Sequence, residues 1–302
     1  MDRLDAMRLF IRVAERGSFS VIAQQMGVAR SVVTRQVAAL EAHLGVKLLA
    51  RSTRRLALTS AGTSYLERCR VILNLVDVAE SGANEENLAP RGPIRLSLPL
   101  SFGLRHLSPL LLDFATRNPE VNLDVDYSDR RSNLLEEGID LAVRIAERLE
   151  PGDVVRRISS SSMVVVASPE YLARHGEPQH PDELIHHQCL GYNGALTPNA
   201  WQFVIDGRPT NFPVRHRLQA DNGDFLLQAC IAGFGITYAP AFISAQAEAE
   251  KQVRPILTGF QTPELGIYVV LPGNRYVPHR VRVLMDFLAE QLGPEPPWQR
   301  PA

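Results

Sequence analysis

Gly17-Ser18-Phe19-Ser20-Val21-Ile22-Ala23-Gln24-Gln25-Met26-Gly27-Val28-Ala29-Arg30-Ser31-Val32-Val33-Thr34-Arg35-Gln36-Val37-Ala38-Ala39-Leu40 holds two short helical patterns separated by one glycine. Ser18 follows a helix-ending glycine and is of the residue type that caps the next helix. Phe19, Ile22, Ala23 and Met26 recur at helical spacing and are expected to point inward until Gly27 breaks the pattern. A third helix begins near Ala29, with Val33, Val37 and Leu40 on its buried stripe and Ser31, Thr34, Arg35 and Gln36 facing out. Upstream, Met7, Leu9, Phe10, Val13 and Ala14 mark a first helix from Leu4 to Ala14 that ends at Gly17. Downstream of Gly45, the apolar pieces Val46-Lys47-Leu48-Leu49 and Leu56-Ala57-Leu58 flank the cationic turn Arg51 to Arg55, which predicts a two-stranded wing.

Thr59 can cap a long helix running to about Leu88. Along it Tyr65, Cys69, Ile72, Val76, Ala79 and Ala83 alternate four- and three-residue spacings, as a heptad seam does. At 1.5 Å per residue this helix spans on the order of 40 Å. Nothing N-terminal to it looks large enough to bury the seam, so pairing between two chains is expected over a core helix of one domain. Ala89-Pro90-Arg91-Gly92-Pro93 then reads as a breaker-rich hinge. Past the hinge, strands and helices alternate in an α/β, parallel-sheet rhythm. Strands are expected at Ile94–Leu98, Val121–Tyr127, Ile139–Ile145, Met163–Ala167, Gly235–Ala239 and Ile267–Leu271. Helices are expected at Leu104–Thr116, Ser132–Glu137 and Val277–Leu292. The last strand resumes the first set, which implies two subdomains crossed by two strands, with a cleft between them.

Composition bounds the function. The 302 residues are 45% hydrophobic and 22% charged, an ordinary globular balance. The net charge of −1 hides an asymmetry: residues 1 to 62 hold ten Lys or Arg against four Asp or Glu, and the rest is acidic. A basic end on a mildly acidic body points one surface at a polyanion. Cys69, Cys189 and Cys230 are odd in number and widely spaced, which favours reduced thiols in a cytoplasm. Met1-Asp2-Arg3-Leu4-Asp5 lacks a secretory core, and no apolar run is long enough for a bilayer, so neither export nor a membrane partner is expected.

The segment Gly17 to Val28, with Ser31-Val32-Val33-Thr34-Arg35-Gln36-Val37-Ala38-Ala39-Leu40-Glu41 and Leu44-Gly45-Val46-Lys47-Leu48-Leu49, resembles the winged helix-turn-helix of LysR-type transcriptional regulators. Arg51-Ser52-Thr53-Arg54-Arg55 and Leu58-Thr59-Ser60-Ala61-Gly62 are similar to that family's wing and linker start. Ser168-Pro169-Glu170-Tyr171-Leu172, Asp221-Asn222 and Ala232-Gly233-Phe234-Gly235-Ile236 with Pro240 are similar to its effector-binding domain. The resemblance implies a bacterial, cytoplasmic protein that regulates transcription from a promoter site. It implies an all-α winged helix-turn-helix at 1–59, a dimerisation helix and hinge at 60–92, and a two-subdomain, periplasmic-binding-protein-like α/β domain at 93–302. Subdomain I would comprise 93–162 and 268–302, subdomain II 163–267. The implied partners are double-stranded promoter DNA, a small-molecule effector, further copies of the chain (a dimer through the linker helix, then a homotetramer) and RNA polymerase. Three departures stand out: Ala29 replaces a capping Ser or Thr, Val21 and Ile22 replace small residues, and Leu49-Ala50 replaces a Phe-acid pair.

The residue types suit DNA independently of the family. Ser31 and Thr34 carry short hydroxyls, Arg35 can take guanine bidentately or a phosphate, and Gln36 can pair with adenine. Arg51, Arg54 and Arg55 at a hairpin tip reach the backbone, which positions without specifying. In the C-terminal domain Ser101 falls where a strand ends and a helix begins, suiting a carboxylate or other anion; the alternative is a plain cap. Asn222, Phe102, Arg144, Asn193 and Thr197 complete the candidate effector contacts, for a ligand expected to be anionic or aromatic. Phe102 would stack a ring or close the cleft floor, and Arg144 would meet an anion or pair with Asp140 or Glu147. His175, His180, His186 and His187 lack metal-ligand spacing and read as surface residues. No nucleophile elbow, phosphate loop or carboxylate pair is present, and Gly233-Phe234-Gly235 precedes a strand, opposite to the dinucleotide fingerprint. No cofactor, metal or catalysis is expected. A solute-binding protein and an enzyme with a DNA tether are the rival classes.

Overall fold

A computed structural model describes residues 2–51, 56–82, 89–130, 133–147, 149, 154–194, 199–273, 277–293, 296 and 298. Three helices open the chain: α1 (Arg3–Arg16), α2 (Phe19–Gln25) and α3 (Arg30–Leu44). Their boundaries follow local signals. Asp2 accepts the Leu4 N–H at 2.8 Å and Ser18 Oγ accepts the Val21 N–H at 3.3 Å, while Gly17 and Gly45 close α1 and α3 in the left-handed conformation. Phe19, Ile22 and Ala23 turn inward as expected, but Met26 does not. It is the C-terminal cap of α2 and is 41% exposed, because the helix ends one residue earlier than its apolar spacing suggests.

Strands β1 (Leu49–Arg51) and β2 (Leu56–Leu58) form an antiparallel wing, with Leu49 opposite Leu58 and Arg51 opposite Leu56. The first strand starts three residues later than predicted, since Lys47 and Leu48 are occupied by contacts to α3 and Thr59. Thr59 caps the linker helix α4 (Ser60–Gly82) by accepting the Gly62 N–H at 2.9 Å. The expected extension to Leu88, and Ala83 of the seam, lie outside the described residues. The seam itself needs a correction: Cys69 is fully buried and Tyr65 packs on Phe10 with ring centroids 5.7 Å apart. Its first half completes the core of α1 to α3, a use the heptad spacing could not distinguish from pairing with a second chain. Ile72 and Leu75 farther along remain exposed.

The rest is mixed α/β. Strand β3 (Gly92–Leu98) leads into α5 (Leu100–Phe102), a π-turn over Gly103–Leu107 and α6 (Ser108–Arg117), followed by β4 (Val121–Tyr127) and β5 (Leu141–Ala146). Of the helix expected at Ser132–Glu137, Ser132 lies outside the described residues and the remainder is not helical. Residues 134–138 make a turn closed by Glu137 N–H to Asn133 O at 2.9 Å and by Gly138 at φ +64°, a stretch too short to offset helix nucleation. The long strand β6 (Val154–Ala167) is followed by α7 (Pro169–His175), a 3₁₀ turn over Pro181–His186, β7 (Cys189–Tyr192), the hairpin β8 (Ala200–Ile205) and β9 (Arg208–Pro213), and β10 (His216–Ala220). Then come α8 (Gly223–Ile231), β11 (Ile236–Pro240), α9 (Ala241–Ala249), β12 (Arg254–Ile256), β13 (Glu264–Leu271) and α10 (His279–Leu292).

Apart from the β8/β9 hairpin, the C-terminal strands form one path, β10-β7-β11-β6-β13-β5-β3-β4, with β12 pairing the other side of β6. Pairs β3/β4, β3/β5, β7/β10 and β7/β11 are parallel; every pair made by β6 or β13 is antiparallel. The predicted parallel rhythm therefore holds among β3, β4 and β5 and among β7, β10 and β11, and fails at β6, β12 and β13, whose pairs in both halves are antiparallel. β6 pairs β13 up to Ser162 and β11 from Met163, so one strand serves both halves, and β13 returns against it. One apolar cluster centres on Leu96, Leu98, Phe102 and Val269, and another on Tyr171, Trp201, Phe203 and Ile236. Among the described residues no helix is long and apolar enough to cross a membrane. The three cysteines are buried free thiols; burial pushes Cys69 up to about 11 and Cys189 and Cys230 up to about 12, which keeps them protonated at neutral pH.

Candidate functional site

The turn between α2 and α3 sets the angle of α3: Gly27 sits at φ +64° and the Val28 N–H returns to Ala23 O at 3.0 Å. Ala29 supplies no side-chain cap, so α3 starts about 1 kcal/mol short of what Ser or Thr would contribute there. Ser31, Thr34, Arg35 and Ala38 fall at i, i+3, i+4 and i+7 and form one stripe of α3. That stripe walls an open groove of about 970 Å³, whose other side is Lys47, Leu49, Ala50 and Thr59. Gln36 is exposed but lies off the stripe, away from the groove. Arg51 ends β1, and Arg54 and Arg55 lie outside the described residues.

The groove has a buried acid on its floor that sequence reasoning missed. Glu41 is 5% exposed; its Oε1 accepts the N–H groups of Leu48 at 2.9 Å and Leu49 at 3.1 Å, and its Oε2 accepts Lys47 Nζ at 2.8 Å. Burial alone raises this carboxyl's pKa, but the bonds from Lys47, Leu49 and Leu48 and the lysine's charge outweigh it and hold it below the usual glutamate value. The sequence signal was faint: an acid seven residues, two helical turns, beyond Thr34 on a stripe otherwise of hydroxyl, guanidinium and methyl groups. Thr59 Oγ1 donates to Lys47 O at 2.7 Å, which fixes the wing's root to the linker helix as well.

The described C-terminal candidates lie near the carboxyl ends of β3, β5, β7 and β10, the ends at which open sheets take ligands. Ser101 lies just past β3 but is not a cap: it is inside α5 and 8% exposed, and the Leu100 N–H at that helix start is taken by Asp129 Oδ1 at 3.0 Å. Phe102 is fully buried, its ring 5.1 Å from Phe242 and 5.3 Å from Trp298, so it closes the floor and offers no open face for stacking. Arg144 Nη1 donates to Ser97 Oγ at 3.1 Å, and Asp140 accepts the Arg95 N–H at 2.8 Å. Asn193 is exposed beyond β7, its N–H on Ala220 O at 2.8 Å, which brings it beside Asn222. Asn222 Oδ1 caps α8 by accepting the Phe225 N–H at 2.9 Å. Thr197 lies outside the described residues. The two halves meet near these groups: Arg105 Nε and Nη2 reach Asp224 Oδ1 at 2.8 and 2.5 Å, and His106 Nε2 lies 3.2 Å from Phe242 O. His175 and His186 are exposed, whereas His180 and His187 are half-buried against aromatic rings and not plain surface residues. Among the described residues no group of three or more His, Cys, Asp or Glu side chains could hold a metal ion.

Comparison with known families settles what these two regions belong to. Residues 4–63 match the model of the bacterial regulatory helix-turn-helix protein, lysR family, and residues 88–293 match that of the LysR substrate binding domain. The chain belongs to the LysR family. It is 35% identical to the HTH-type transcriptional regulator CrgA of Neisseria meningitidis serogroup C, over 96% of this chain and 97% of that one. It is 32% identical to an HTH-type transcriptional repressor of Pseudomonas aeruginosa, over 98% and 94%. Among solved structures it is similar to CrgA, with a TM-score of 0.62 at 35% identity over 96% of this chain and 98% of that one. It is also similar to the Vibrio cholerae virulence activator AphB, with a TM-score of 0.59 at 27% identity over 95% and 98%. As a LysR-type protein it is a DNA-binding transcriptional regulator with a substrate-binding domain, and not an enzyme.

Proposed function

We propose that this LysR-type regulator reads a specific promoter through Ser31, Thr34 and Arg35 on the groove-facing stripe and Gln36 on the adjacent face of the same helix, steadied on the backbone by Arg51, Arg54 and Arg55. The observation that carries this reading is the α3 stripe, which presents hydroxyl, guanidinium and methyl groups to an open groove beside the wing. The proposed units are a reader at 1–59, a linker at 60–92 and an effector receptor at 93–302, split into 93–162 with 268–302 and 163–267. The exposed Ile72 and Leu75 favour pairing of two linker helices into a dimer; the further pairing of two dimers into a tetramer follows from the family resemblance alone. Two readers related by a two-fold axis address half-sites one or more helical turns apart. The regulator would then act in the cytoplasm on RNA polymerase at that promoter.

The finer proposal is that an anionic or aromatic metabolite binds between the C-terminal halves, near Ser101, Arg144, Asn193, Thr197 and Asn222 above the Phe102 floor. It would control DNA by binding one arrangement of the paired readers more tightly than the other. Footprinting on the flanking intergenic DNA tests the first part, and absence of a protected, roughly two-fold site overturns it. Arg35→Ala is expected to cost about 1–3 kcal/mol on the specific site and to blur base preference. Equal losses on specific and random DNA would remove Arg35 from base reading. Ser101→Ala is expected to leave DNA affinity unchanged without effector and to weaken the response to a metabolite found by thermal-shift screening. An unaltered calorimetric affinity for that metabolite would count against Ser101.

A further inference from the structure

We propose that Lys47 is a DNA phosphate contact held ready by Glu41, which acts as a positioning residue between the recognition helix and the wing. The inference rests on the DNA-reading role of the groove and adds two residues to it.

Lys47 sits at the root of the wing, opposite Thr34 and Arg35 across the groove, and its side chain is 74% exposed. Its ammonium is nonetheless fixed at one end, 2.8 Å from Glu41 Oε2. An ammonium has three donors; one serves Glu41, and the outward ones remain for an anion entering the groove. A lysine normally loses much rotamer freedom when it grips a ligand, and a tether made before binding removes that cost. Glu41 can provide the tether because its own position is over-determined, its other oxygen being held by two backbone N–H groups of the wing root. The occupant is a DNA backbone: a duplex whose bases meet the α3 stripe has to pass a sugar-phosphate strand between that helix and the wing.

This arrangement makes a prediction opposite in sign to simple electrostatics. Removing the negative charge of Glu41 beside a polyanion should tighten DNA binding, whereas loss of a positioning residue should weaken it. The test uses the full-length chain and two duplexes of equal length, its own upstream intergenic DNA and a scrambled version, with affinity followed over a range of salt. Lys47→Gln is expected to reduce the slope of log K against log salt by about 0.9 per reader head engaged, on both duplexes alike. Lys47→Arg should restore it. Glu41→Gln, which keeps an acceptor for the wing root, is expected to weaken binding on the order of fivefold, part of the rotamer freedom the tether removes. In that background Lys47→Gln should cost less than it does in the wild type. An unchanged slope for Lys47→Gln overturns the contact; tighter binding by Glu41→Gln, or strictly additive losses, overturns the positioning role. A wild-type chain with no salt-dependent affinity for either duplex would instead remove the DNA-reading role itself.

Discussion

Gly62→Ala is expected to destabilise the N-terminal helical unit by on the order of 2 kcal/mol or more and to weaken DNA binding with it. Alanine is the better helix former, by roughly 1 kcal/mol, so propensity alone predicts a gain. Space decides against it. A Cβ on residue 62 would lie 1.9 Å from the Leu48 carbonyl oxygen and 2.9 Å from its carbon. The obstacle is backbone, and it is held in place because Leu48 O accepts the Thr59 N–H at 3.0 Å. Relief requires the whole start of α4 to move off the wing root, and overpacking of this kind costs about 1–3 kcal/mol, occasionally more. Urea unfolding of the variant measures it; an unchanged or raised midpoint would mean that α4 does not pack on Leu48 as described.

Glu41→Ala is expected to cost about 2–5 kcal/mol, because it leaves the Leu48 and Leu49 N–H groups buried without their acceptor. Glu41→Gln retains an acceptor and should cost about 1 kcal/mol, so the pair of variants separates the hydrogen bonds from the charge. The charge also sets a pH dependence. The folded carboxyl has its pKa held below the ordinary value of 4.5, so its contribution is present above that value and is lost as pH falls through the folded one. Urea midpoints of the wild type and Glu41→Gln should therefore converge on acidification. A gap that widens toward low pH would contradict the assignment.

The helical N-terminus was legible almost residue by residue because its signals act locally. Gly17, Ser18, Gly27, Gly45 and Thr59 end or begin elements through their own backbone and caps, whatever surrounds them. Six of the C-terminal strands were legible as apolar runs, whereas β7 to β10, β12 and the first nine residues of β6 were not, being short or mixed with polar residues; directions were not legible either, since β13 pairs with β5 and β6 from far along the chain. Heptad spacing at Tyr65 and Cys69 looked like a seam for another chain and turned out to face Phe10 in this one. The candidate site divides in the same way. Ser31, Thr34 and Arg35 share a face fixed by helical geometry, which periodicity exposes. Glu41 meets Lys47, Leu48 and Leu49, and Arg144 meets Ser97, only after the chain has folded back, which no local pattern records.

The Leu48 carbonyl lies at a crossroads: wing root on one side, capping threonine and first helical turn of α4 on the other. With no slack there, hairpin and linker behave as the two arms of a single lever. In the proposed dimer, a change in how the two long helices wind about one another would therefore carry over to the roots of the hairpins and reset the spacing between them.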